Sequence, residues 1–117
     1  MLARLVMLLG ALAALTIAAP AQQYPGRAIR IVVPFSAGAP DTVARIIGQQ
    51  LNVQLGQPVV TENRPGANGV TGTHEVVKAP PDGYTLLVVS SSFAVNPSIY
   101  RKLPYDPTAD LEAITAI

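Results

Sequence analysis

The most constraining stretch of the sequence runs from Ile29 to Arg45, IRIVVPFSAGAPDTVAR. Ile29, Ile31, Val32 and Val33 form a short apolar run rich in β-branched residues, the pattern of a buried strand. Pro34 ends the run, Ser36-Ala37-Gly38 supply a small flexible turn, and Pro40-Asp41-Thr42 begin a helix. Proline fits the first helical turn because its missing N–H would have no partner there. Asp41 in the same turn complements the positive end of the helix dipole. A buried strand, a small-residue loop and a helix N-terminus together aim free backbone N–H groups at one point beyond the C-terminal end of the strand. The stretch therefore reads either as half of a binding site for a small carboxylate or as an ordinary strand-to-helix connection.

The first residues are of a different kind. Met1 to Arg4 carries one positive charge, Leu5 to Ala19 is an uncharged, largely apolar run, and Ala19-Pro20-Ala21 puts small residues where a signal peptidase reads. This three-part pattern is that of a secretory signal peptide over residues 1–21, cleaved after Ala21. The run falls short of the ~20 apolar residues that a membrane anchor needs. Cysteine is absent, which excludes a disulfide framework and a lipid-modified N-terminal cysteine. Once Arg4 leaves with the leader, seven basic residues (8 − 1) face seven acidic ones. Balanced charge without a basic cluster argues against nucleic acid and anionic membranes as partners. With no Trp, four Tyr and two Phe, the chain also lacks the aromatic platforms on which bases stack.

The remaining 22–117 read as alternating strands and helices. A strand over 28–33 is followed by a helix over 40–55, in which Val43, Ile47, Leu51 and Leu55, with Ile46 beside them, form a sheet-facing stripe. Arg45, Gln49, Asn52 and Gln54 fall largely on its other side. Gly56 stands where a left-handed C-terminal cap is wanted. Pro58 to Glu62 reads as a second strand, so the unit is β-α-β with parallel strands and a right-handed crossover. The turn-rich Asn63 to Gly69 leads into a second helix over 70–78, and Pro80-Pro81-Asp82-Gly83 builds a turn before a third strand, Tyr84 to Val89. Ser90-Ser91-Ser92 follows, then a short helix with Asn96 as its cap, an extended Leu103 to Pro107, and the start of another strand over Leu111 to Ile117. The fold class is α/β, a doubly wound and mostly parallel sheet.

Five segments, YPGRAIRIVVPFSAG, APDTVARIIGQQL, GQPVVTENRPGANG, PPDGYTLLVVSSS and NPSIYRKLPYDPTADL, together resemble the extracytoplasmic receptors of tripartite tricarboxylate transporters, the Bug-type receptors. They follow in the family's order and cover the chain beyond the leader. The resemblance implies a two-lobed periplasmic binding protein of type II-like architecture that closes on a small organic carboxylate. It also implies that 22–117 is the N-terminal part of the first lobe, with membrane transporter subunits as partners of the full-length form, no membrane anchor, and no cofactor. In such receptors backbone N–H groups, hydroxyls and ordered waters grip one carboxylate. Mapped here, that role falls to Phe35, Ser36, Ala37, Gly38, Asp41 and Thr42 in the first loop, and to Ser90, Ser91 and Ser92 at the end of the third strand. Two departures stand out. The family's first loop reads PFxAGG, two residues and Asp, so PFSAG-APD lacks one residue between Gly38 and Asp41, which is expected to displace N–H groups and weaken binding. Family members also run to roughly 300 residues, the size of two domains, so this chain reads as a fragment, expected to fold poorly and bind little by itself.

Other chemistries have less support. Ser90 to Ser92, His74 and Asp82 are the residue types of a hydrolase triad, but no G-x-S-x-G elbow is present. His74 has no second His or Cys with which to share a metal. Gly38 and the Gly66/Gly69 loop match neither a phosphate loop nor a G-x-G-x-x-G turn. The Gly66-Asn68-Gly69 loop either lines the cleft or is a turn that needs positive φ. Three hydroxyls directly after a buried strand stand where α/β sheets bind ligands, the alternative being a polar strand exit. Asp41 suits capping or orienting its loop better than contact with an anion, since like charges repel. The leading function is thus a carboxylate receptor; the alternatives are an α/β enzyme such as an esterase, or a non-functional remnant. Mass spectrometry of the secreted product is expected to show Gln22 as its first residue, and an intact Met1 in a membrane pellet would refute the leader assignment.

Overall fold

Ile29, Ile31, Val32 and Val33 are at most 1% exposed, and they owe this to a strand flanked on both edges and covered on both faces. The computed structural model describes residues 23–117; the leader assigned to 1–21 lies outside them. Its elements are β1 (Ile29–Val33), α1 (Ala39–Leu55), β2 (Val59–Asn63), a 3-10 turn (Ala67–Gly69), α2 (Val70–Val77), β3 (Thr85–Leu87) and α3 (Ser92–Ile99). The three strands are parallel in the order β2-β1-β3, with Ile31 opposite both Thr61 and Leu86.

Alternation along β1 sorts the two faces. Ile31 and Val33 pack with Ala44 of α1 and with half-buried Phe35, Val59, Leu86 and Val88. Arg30, one residue out of phase, turns to the other face, where its guanidinium meets Glu75 of α2 at 2.7 Å and Glu62 of β2 at 3.4 Å. The first crossover steps from β1 to β2 and the second returns past β1 to β3. Right-handed connections then place α1 and α2 on opposite faces, which is the doubly wound arrangement.

Helix α1 starts at Ala39 from an extended Gly38, its first bond running from Thr42 N–H to the Gly38 carbonyl at 2.9 Å. Gly56 ends it in the left-handed conformation (φ 68°), as expected, with its N–H on the Asn52 carbonyl. The sheet-facing seam differs from the anticipated stripe. Its buried residues are Asp41, Ala44 and Gly48, flanked by half-buried Val43, Ile47 and Leu51. Small side chains at 44 and 48 let the helix axis approach the sheet, so the branched residues flank the seam instead of lying in it. Ile46 is 58% exposed, since it lies about 200° around the helix from Ala44, and Leu55, the last helical residue, is exposed as well.

Three further expectations are corrected. β3 spans only Thr85–Leu87 instead of 84–89. Its last bond to β1 is Val88 N–H to Val32 C=O, 3.0 Å, and the next rung would need an N–H at Pro34, which proline lacks. Asn96 does not cap α3; the helix begins at Ser92, where Ser90 and Ser91 carbonyls accept the N–H groups of Phe93 and Ala94, and Asn96 is buried within it. Residues 111–117 form no strand; Ile117 instead borders a depression of about 180 Å³ shared with Ala39, Pro40, Val43, Val88 and Val89. Ahead of that segment Asp106 ties a turn by accepting the N–H groups of Thr108 and Ala109. Those bonds, with the Thr108 hydroxyl foremost, hold the Asp106 carboxyl below the usual carboxylate range.

At the N-terminal end of the sheet the lead-in residues are clasped to the 82–84 turn. Tyr24 O–H donates to the Gly83 carbonyl (2.6 Å), Gly26 N–H donates to the Tyr84 hydroxyl (2.8 Å), and Arg27 bonds Asp82 (2.9 Å) while standing 3.9 Å over the Tyr84 ring.

Packing distances set apart two helical glycines. A Cβ at Gly72 would lie 2.6 Å from the Arg64 carbonyl oxygen and 2.7 Å from Pro34 Cβ, neither of which belongs to a flexible side chain. A Cβ at Gly48 would meet Val59, Ile31 and Thr61 at ordinary contact distances of 3.4–3.5 Å. Gly72→Ala is therefore expected to cost about 1–3 kcal/mol through overpacking. Gly48→Ala is expected to be neutral or to gain up to about 1 kcal/mol of helix propensity. Thermal melts followed by circular dichroism check both.

Candidate ligand-binding site

β1 and β3 are neighbours whose connections leave in opposite directions, the point at which an open α/β sheet forms a crevice beyond its strand ends. The Val88–Val32 bond brings those ends level, so the loop 34–38 and the run Ser90 to Ser92 emerge on one edge. The depression shared by Ala39, Pro40, Val88 and Val89 shows that the N-terminus of α1 and the end of β3 border a common space.

The first-loop residues divide into two groups. Ser36, Ala37 and Gly38 are exposed at the edge. Ala39 and Asp41 precede the first intrahelical N–H of Thr42, so their own N–H groups have no carbonyl one turn back, and Pro40 has none to offer. Because α1 starts directly after Gly38, the chain passes from the 34–38 loop into the helix without an intervening residue. Phe35 turns inward instead, and a Cβ on Gly69 would come within 3.1 Å of its ring, while the left-handed backbone there (φ 89°) favours glycine as well. The Thr42 hydroxyl donates back to the Gly38 carbonyl at 3.1 Å.

Asp41 belongs to a relay. Arg45, one turn along α1, donates from Nε to Oδ2 at 3.1 Å and stands with Nη2 3.0 Å from Oδ1. The same Nη2 donates to Asn63 Oδ1 at 3.1 Å, and Asn63 Nδ2 donates to the Phe35 carbonyl at 3.0 Å. Arg45 above all, then the Asn63 amide, holds the Asp41 carboxyl below the usual carboxylate range.

On the serine side Ser90 Oγ and Ser92 Oγ share a hydrogen bond of 3.0 Å, while Ser91 is exposed. One turn on, Asn96 is locked to the 66–69 turn: Asn68 Nδ2 donates to Asn96 Oδ1 (2.9 Å) and Asn96 Nδ2 to the Asn68 carbonyl (3.0 Å). Asn68 adopts positive φ (53°), as does Ala67 (46°), so this loop is the positive-φ turn allowed for in the sequence. Phe93 stacks parallel to Tyr105 with ring centroids 6.3 Å apart, fastening the 100–110 segment beneath the serines.

Arg45, Asn63 and Asn96 are not among the site residues to which the sequence points. The Asp41-to-Arg45 spacing of four was the available signal for the first of them. The residue types of a hydrolase triad are not brought together: Asp82 pairs with Arg27 at the far end of β3 from Ser90, and His74 lies on α2. Among the described residues no group of three His, Cys, Asp or Glu side chains is placed to hold a metal ion.

A parallel sheet covered by helices on both faces, with small-residue loops and a helix N-terminus at its open edge, defines a lobe of the α/β binding-protein class. The family model "Tripartite tricarboxylate transporter family receptor" matches residues 43–117, and the chain belongs to that receptor family. A UPF0065 protein of Bordetella bronchiseptica is 44% identical over 119 residues, covering 99% of this chain and 36% of the relative. Protein BugT of Bordetella pertussis is 45% identical over 106 residues, covering 86% and 32%. Among solved structures, MatC from Rhodopseudomonas palustris with bound malate superposes with a TM-score of 0.68 at 39% identity, covering 74% of this chain and 30% of that one. An R. palustris protein with adipate gives 0.69 at 37%, covering 72% and 29%. The chain thus spans about a third of the length of the curated relatives it matches.

The relay has a pH signature. Since the folded-state pKa of Asp41 is lowered, its contribution to stability is present above the ordinary aspartate value of about 3.9 and fades as the pH falls through the depressed one. A carbon-detected NMR titration is expected to show Asp41 ionising below ordinary aspartates, and Arg45→Met is expected to move it upward.

Proposed function

We propose that this chain carries half of the ligand site of a periplasmic solute receptor for small organic carboxylates, feeding a tripartite tricarboxylate-type transporter. The observation that carries the reading is the convergence of the 34–38 loop, the α1 N-terminus and the serine run at the strand-order reversal of a parallel sheet. Two further facts support it: the receptor family to which the chain belongs, and relatives whose structures hold malate and adipate. No helix among the described residues is long and apolar enough to cross a membrane.

In this reading the exposed N–H groups of Ser36, Ala37 and Gly38, with those at the start of α1, meet one carboxylate, aided by the positive end of the helix dipole. Ser90, Ser91 and Ser92 add hydroxyl donors from the other side of the crevice. Phe35 and Thr42 shape the loop from within, and Asp41, engaged by Arg45, orients it without touching the anion. The site works by binding and release, so the protein is a receptor and not an enzyme. Isothermal calorimetry with malate and adipate tests this. Replacing Ser91 and Ser92 together by Ala is expected to cost about 1–3 kcal/mol of binding free energy. Absence of binding by the parent receptor to either dicarboxylate, or turnover of chromogenic esters, would overturn the reading.

A further inference from the structure

We infer that Asn63 and Arg45 are positioning residues that aim the first-loop N–H groups into the ligand crevice; this deepens the carboxylate-receptor reading and rests on it. Among the described residues, the hydrogen bonds that reach the 35–38 backbone are that of Asn63 to the Phe35 carbonyl and those of Thr42 to the Gly38 carbonyl. The first is the one that sets a direction. A trans peptide is planar, with its C=O and N–H pointing oppositely. Holding the Phe35 carbonyl toward Asn63, at the end of β2, therefore turns the Ser36 N–H away from β2. Since β1 lies between β2 and β3, that direction is the β3 side, where Ser90 to Ser92 emerge.

Asn63 does this only in one orientation of its amide, and Arg45 selects it. With Nη2 donating to Oδ1 at 3.1 Å, a flipped amide would set N–H against N–H and carbonyl against carbonyl. Arg45 is in turn held by Asp41, through the Nε hydrogen bond to Oδ2 and an ion-pair contact of Nη2 with Oδ1. A planar fork can serve Asp41 and Asn63 at once, which a lysine ammonium does less well. The Arg45 side chain is 55% exposed and that of Asp41 11%; Asn63→Leu leaves this pair intact, and the one neutral hydrogen bond it removes adds little to stability. The relay therefore matters for orientation, and its loss should separate affinity from melting temperature.

The test uses the full-length receptor with Asn63→Leu, a neutral substitution of the same branched outline, beside Asn63→Asp and Arg45→Lys. Malate affinity is read by calorimetry, melting temperature by circular dichroism, and the Ser36 and Ala37 amides by proton–nitrogen NMR. The expected result for Asn63→Leu is about tenfold weaker malate binding, as for one lost orienting bond. The Ser36 resonance should shift and exchange faster, while the melting temperature and the β1 resonances stay in place. Arg45→Lys is expected to move the same two readouts by less. Weakening by Asn63→Asp but not by Asn63→Leu would show simple charge repulsion and overturn the proposal. If the parent binds neither malate nor adipate, the receptor reading fails and the Ser36 amide alone decides: unmoved in Asn63→Leu, it overturns the positioning role; shifted, it upholds it.

Discussion

Everything in this lobe depends on β1 being satisfied on four sides and then stopped by Pro34. Its edges pair with β2 and β3, and its faces are covered by α1 and α2. On the β2 side the last rung is Arg64 N–H to the Val33 carbonyl at 2.8 Å; on the β3 side Pro34 stands where the next donor would be and offers none. One missing N–H thus ends the β3 ladder, and β1 and β3 diverge at the same level. The crevice is a consequence of how the sheet terminates, before any ligand-specific residue is considered.

Charged side chains around the sheet are drawn into pairs. Arg30, Glu62, Arg64 and Glu75 alternate in a four-membered cluster on the α2 face, with separations of 2.7 to 3.4 Å. Within it the Glu75 hydrogen bond, outweighing the cost of burial, makes Arg30 hold its proton more tightly than usual. Arg27 and Asp82 close the opposite end of the sheet, and Arg45 neutralises the acid nearest the crevice. What remains at the open edge is a set of neutral donors: backbone N–H groups, hydroxyls and a helix terminus. Fixed dipoles of this kind accommodate an anion without requiring a buried, unpaired cation when the anion leaves.

The parts of the fold readable from sequence are those governed by local periodicity and by proline and glycine. β1, the bounds of α1 to within a residue, Gly56 as a cap and the positive-φ turn at 66–69 all follow from such signals. The misread parts depend on partners distant in sequence. Leu111 to Ile117 has strand-like composition but joins neither free edge of the sheet, β2 or β3. Val89 has the right side chain for β3, yet its ladder ends at a proline 55 residues upstream. Asn96 has the residue type of a cap, and only its meeting with Asn68 makes it an internal tie. The site shows the same division: the loop and the serine run were visible as small polar residues after strands. Asn63, at the end of a neighbouring strand, becomes relevant only once the sheet order is known.

Close approach explains why the loop can be both firm and open. Gly72 admits Pro34 and the Arg64 carbonyl against α2, Gly69 admits the Phe35 ring, and Asn63 holds the Phe35 carbonyl. The inner half of the loop is therefore braced from three directions by groups that themselves belong to strands, helices or a locked turn. The outer half, Ser36 to Gly38, carries small side chains and stays exposed. Donors presented from a braced stem lose little further freedom on meeting a ligand, so more of each hydrogen bond is retained as affinity. A larger residue at Gly69 or Gly72 would act on this stem from behind, and would alter the direction of N–H groups that it never touches.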